Sequence, residues 1–139
     1  MGFRYRRNAN GDSVIPVKPF TLNAAYAATA KRFDVVKLNA SSEVVLAAAG
    51  DTAVLGVLEY IDIKQQGATV TTGGVRVSGS AIYEAPASAA GAKVGTKYGI
   101  NVTDGGTVNV ADTTTTCVVV VAVNPSGTVD VQITGRQLA

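Results

Sequence analysis

The chain has 139 residues, of which 16% are charged, 47% hydrophobic and 6% aromatic, with a formal net charge of +2. That length fits one domain, and the absence of histidine removes the commonest general base and transition-metal ligand. A single cysteine, Cys117, excludes an intrachain disulfide, a zinc site built on several thiolates and any Cys–His nucleophile pair.

Residues 1–22 read as an extended basic N-terminal arm, and 23–139 as a single β-rich domain. Arg4, Arg6, Arg7 and Lys18 against Asp12 give the arm +3, and the remaining eight basic and nine acidic residues leave the body at −1. Asn8-Ala9-Asn10-Gly11-Asp12-Ser13 is turn-forming. Pro16 and Pro19 each remove a backbone donor and disfavour helix before them, so 14–20 is extended and serves as an edge strand at most. The arm is expected to be variable in the free protein and to order on a partner. Its candidate contact residues are Phe3, Arg4, Tyr5, Arg6, Arg7, Val14, Ile15, Pro16, Val17 and Phe20. A solvated tail is the bland alternative. Nucleic acid is the weaker candidate partner, because three arginines are few for phosphate binding at physiological salt.

Further along, Asn23 to Ala30 is alanine-rich and fits a short helix or an irregular lead-in. Phe33–Leu38 and Glu43–Ala47 are strands about an Asn39–Ser42 turn. Val54–Ile63 is the longest apolar strand of the first half, with Ile61 and Ile63 on one face. Gln65-Gln66-Gly67 turns the chain. Gly73-Gly74 reads as a two-residue hairpin loop between 68–72 and 75–79. Ala81–Glu84 is extended, and 87–95 is a small-residue loop. Lys97–Val102 and Thr107–Val110 flank the Asp104-Gly105-Gly106 turn. Val118–Val123 and Thr128–Thr134 make the clearest hairpin, with Val119, Val121, Val129, Val131 and Ile133 in one buried hairpin; the valine run is apolar on both faces and reads as a central strand buried on both sides. Short strands at intervals of about 8–12 residues predict an all-β fold, a small β-barrel or sandwich of antiparallel hairpins.

Catalytic chemistry is not legible. Glu59 with Asp62, or Asp51 with Glu84, are the only carboxylate pairs worth considering, and strand carboxylates are usually solvated. Cys117 lies in an apolar run and reads as a buried small side chain. No catalytic, cofactor or metal site is expected, and the chain reads as a non-enzyme. No apolar run approaches the roughly 20 residues of a membrane span. Nor does an apolar signal segment follow the first charges, so synthesis in a cytoplasm is expected.

The order of elements resembles the small capsid decoration, or cement, proteins of tailed bacteriophages. The resemblance covers roughly 25–139 and rests on Lys31-Arg32-Phe33-Asp34-Val35-Val36-Lys37-Leu38, Leu55-Gly56-Val57-Leu58, Val75 to Ala81, Ala92 to Tyr98 and the closing hairpin. It departs from the family at Thr96, where an acidic residue is frequent, and in the basic-aromatic start. The resemblance implies a homotrimer on the outer surface of a phage head, bound to the major capsid protein and stabilising the shell. The low charge of the body suits self-association. A carbohydrate-binding or fibre-type module is the alternative, and the absence of Trp weighs against it. A small nucleic-acid-binding barrel is third.

Overall fold

The computed structural model describes residues 2–9, 17–62 and 71–138. Strand accounts for 46% and helix for 5%, in two antiparallel sheets that do not close into a barrel. The architecture is therefore sandwich-like.

The six-stranded sheet holds β1 (Arg4–Asn8), β7 (Ala81–Ala85), β11 (Val129–Ile133), β10 (Val118–Val123), β8 (Lys97–Asn101) and β9 (Thr107–Asn109), in that spatial order. The five-stranded sheet holds β2 (Val17–Thr21), β6 (Thr72–Arg76), β5 (Gly56–Ile61), β3 (Val35–Leu38) and β4 (Val44–Leu46). A one-turn helix, α1 (Ala24–Ala27), follows β2. So short a helix is marginal alone. It is nucleated by Asn23, whose side chain accepts from the Ala25 and Tyr26 amides at 3.1 and 3.2 Å.

Side-chain alternation divides the interior into two layers. Val35 and Val57 face the six-stranded sheet and join Tyr83, Ile100, Val118, Val120, Val129 and Val131 in the main core. Their neighbours Val36 and Leu58 point the other way and pack with Leu22, Tyr26, Val44, Leu55 and Val75. The five-stranded sheet is thus buried on both faces, with α1 and the chain around Leu22 closing its outer side.

Most predicted turns are where the sequence puts them. Asp104, at φ 54, lies in a 3-10 turn joining β8 and β9, and Ile100 opposes Val108. Asn39 accepts from the amides of Ser41 and Glu43 and holds the β3–β4 turn. Cys117 is buried, and burial pushes its thiol up to about 12.

Three expectations are corrected. The first is the arm. Phe3 is fully buried in the main core, and its amide donates to the Phe33 carbonyl at 2.9 Å. β1 pairs with β7 and β2 with β6, so the described parts of 1–22 are edge strands of the two sheets; an edge strand is the most the prolines allow for 14–20, and its pairing within this chain is what departs from the expected arm. Large apolar side chains alternating with arginines gave this segment a buried face, and the sandwich uses it. Val14, Ile15 and Pro16 lie outside the described residues, as do 65–67, 68–70 and Ile63.

The second correction concerns Gly73 and Gly74. They sit inside β6, paired with β2 on one side and β5 on the other. A Cβ on Gly73 would come within 2.9 Å of Leu58 and 3.1 Å of Leu22, and one on Gly74 would collide with the Tyr60 ring. The glycines make room for neighbours from the adjacent strand; they do not turn the chain.

The third is the phase of the valine run. Val118 and Val120 oppose Ile133 and Val131 and face the main core, while Val119 and Val121 are only half-buried. A bulge between Val120 and Ala122 shifts the register. β10 is an interior strand, but it is not buried on both sides: Val119 and Val121 are half-buried and Val123 is exposed, and with valine at five of its six positions its phase carried no signal.

Candidate contact surface built by the first strand

β1 puts its charges and its rings on opposite sides. Tyr5 packs edge-on to Tyr83, with centroids 6.2 Å apart, and Phe3 lies 6.1 Å from the same ring. Arg76, from β6, stacks over Tyr5 with its guanidinium carbon 4.0 Å from the centroid. Of the expected surface anchors, then, Phe3 is core, Tyr5 is half-buried beneath an arginine, and Phe20 is half-buried against the second core.

The register slips between Tyr5 and Arg7, opposite Tyr83 and Ile82. Such a bulge re-aims consecutive side chains, and here Arg6 and Arg7 both reach Asp130, at 3.0 and 3.3 Å. Asp130 also accepts from Asn124 Nδ2 at 3.0 Å. Its side chain is only 4% exposed. Burial alone would raise its pKa, but the hydrogen bonds from Asn124 and Arg6, the Arg6 charge and the Arg7 bond outweigh it, leaving the carboxyl below its ordinary value. Two of the three arginines expected to meet a partner are therefore neutralised within the chain.

Arg4 is different. It opposes Glu84 across the β1–β7 pair. Glu84, however, accepts the Thr128 hydroxyl at 2.7 Å, and among the described residues Arg4 has no carboxylate at ion-pair distance. Its guanidinium lies 5.2 Å from the centroid of Phe33. Arg32 approaches the same ring at 4.7 Å. Arg32 also stands 3.7 Å from Glu59, which Arg76 approaches at 3.5 Å. Arg4, Lys31 and Arg32 are exposed, and Phe33 is half-buried at φ 79. Beneath them, buried Asp34 accepts from the Tyr26 hydroxyl at 2.6 Å and the Lys31 amide at 3.0 Å and holds the turn. Desolvation and the Asp34 hydrogen bond raise the Tyr26 phenol well above its usual value.

A shallow recess of about 230 Å³ adjoins Arg4, lined by Gly2, Glu84, Ala85, Pro86 and Thr128. Gly2, at φ 65, rests on the Phe33 carbonyl so closely that any Cβ there would collide with it. Residues 2–4 are thereby clipped onto the 31–34 turn.

The carboxylate pairs considered from sequence are each engaged elsewhere. Asp62 accepts from Thr72 and Asp51 pairs with Lys37 at 3.0 Å, while Glu59 and Glu84 have the partners given above. Among the described residues no group of three or more His, Cys, Asp or Glu is placed to hold a metal ion, and no helix is long and apolar enough to cross a membrane. Sequence reasoning missed Arg32, Phe33, Arg76, Glu59 and Asp130 as members of this surface. The Lys31-Arg32 pair was the only available signal, as the one other basic run in the chain. No family model, curated protein or solved structure matches the chain.

Proposed function

We propose that the chain is a structural, non-enzymatic virion protein that binds the outer surface of an assembled phage head, as a homotrimer, and stabilises it. The observation that carries this reading is the cationic cluster gathered at one sheet edge of a charge-poor sandwich. Arg4 and Arg32, from segments 28 residues apart in sequence, converge on one ring. A preformed exposed cationic patch, formed by β1 and the 31–34 turn clipped to it, suits attachment to a larger surface at little ordering cost. Three copies on one assembly would multiply a modest single contact into strong avidity. The order of elements, which resembles that of phage decoration proteins, supports the same reading.

The test is direct. The purified chain is mixed with undecorated, expanded heads of the phage that encodes it, and the heads are pelleted. We expect saturable co-sedimentation and density for three mutually touching copies at three-fold positions. A chain that stays in the supernatant at every concentration overturns the proposal. Isolated, non-touching copies on the shell overturn the trimer.

A further inference from the structure

We propose that Arg4, Arg32 and Phe33 recognise a short acidic, carboxylate-bearing segment of the shell protein; this rests on the capsid-binding reading above. Phe33 is the key. A bulky side chain at φ 79 sits in the left-handed region, where its Cβ crowds the backbone. The backbone contacts at this position do not need a ring. Its amide donates to the Leu58 carbonyl at 2.7 Å, and its carbonyl accepts from Phe3 at 2.9 Å. Glycine or asparagine would make both bonds with less strain. Nor does the ring belong to either core. Both guanidiniums lie over it, at 5.2 and 4.7 Å. Those distances put the two guanidinium carbons no more than about 10 Å apart.

The two cations remain available to a partner. Arg4 has no ion pair among the described residues. Arg32 is 64% exposed, and the carboxylate it meets among the described residues, Glu59, is 9% exposed and shared with Arg76. Arg6 and Arg7, by contrast, are spent on Asp130. Planar guanidiniums stacked on a ring keep their edges free to take carboxylate oxygens in pairs. A discrete acidic segment fits better than a nucleic-acid strand. The patch offers three cations including Lys31, fewer than the roughly 6–10 phosphate contacts of a protein that holds nucleic acid through its backbone.

The test uses the full chain in two assays. One is co-sedimentation with undecorated heads. The other is a titration of the isotopically labelled chain with an eight-residue Asp/Glu peptide and, separately, with a single-stranded DNA oligonucleotide. Expected results are peptide-induced shifts at Arg4, Arg32 and Phe33, and at least tenfold weaker head binding by the Arg4→Glu/Arg32→Glu double variant. Phe33→Asn should weaken head binding several-fold with a melting temperature no lower than that of the parent. Should charge reversal lower the melting temperature, Arg4→Gln/Arg32→Gln replaces it with the same expected direction. Unchanged head binding by the folded double variant overturns this surface and leaves the capsid reading standing. Peptide shifts at the three residues without any head binding overturn the capsid reading and leave acidic recognition standing. Tighter binding of the oligonucleotide than of the peptide overturns the acidic partner.

Discussion

Asp130 shows how one buried carboxylate changes what neighbouring charges can do. It stands on the outer face of β11, yet Arg6, Arg7 and Asn124 close over it. Both arginines are about half exposed, so solvent screening limits each pair. The charged hydrogen bonds to a buried acceptor still contribute about 1–2 kcal/mol together. Asp130→Asn should lose that amount at neutral pH. The direction with pH follows from the depressed folded pKa. The contribution is present above the unfolded value near 3.9 and is lost as pH falls below it through the folded value. Urea unfolding of parent and variant should therefore differ at pH 7 and converge toward pH 3. An equal difference at both pH values would refute the assignment.

At the scale of elements, the first strand is the instructive case. Its composition was legible, with an apolar face of Phe3 and Tyr5 against Arg4, Arg6 and Arg7. Its partner was not. β1 pairs with β7, some 77 residues away in sequence, and no local pattern announces such a pairing. Charge on the outer face read as detachment, although charged edge strands are a common way to protect a sheet margin. Gly73-Gly74 misled for a related reason, since the side chains that require glycine there come from β5 and from Leu22. Local turns and the closing hairpin were readable because adjacent residues determine them. The convergence of Arg4 and Arg32 on Phe33 was invisible for the same long-range reason. The element-scale prediction follows from Phe3. Deleting residues 2–8 removes a fully buried Phe, leaves β7 as an edge and strands Asp130 without its arginines. The truncated chain should lose several kcal/mol, seen as a large fall in the chemical unfolding midpoint. A truncated body as stable as the parent would restore the detached-arm reading.

At the scale of the whole molecule, the five-stranded sheet couples everything else. β3 and β5 contribute Val35 and Val57 to one core and Val36 and Leu58 to the other. Neither core can loosen without disturbing a strand the other needs, so the domain should unfold in one cooperative step. The contact surface has the same dependence. Arg4 comes from the six-stranded sheet, while Arg32 and Phe33 precede β3 of the five-stranded sheet. The Phe33 amide bonds to Leu58 itself. Leu58 is fully buried on the face remote from β1. Leu58→Ala should cost about 2–5 kcal/mol without touching Arg4 or Arg32. Tyrosine fluorescence and far-ultraviolet dichroism should fall together at a lowered melting temperature. Head binding should match the parent below that temperature and vanish with the same midpoint. Separate transitions for the two probes would show that the layers unfold independently. Binding that persisted past the melt would place the contact outside the assembled sandwich.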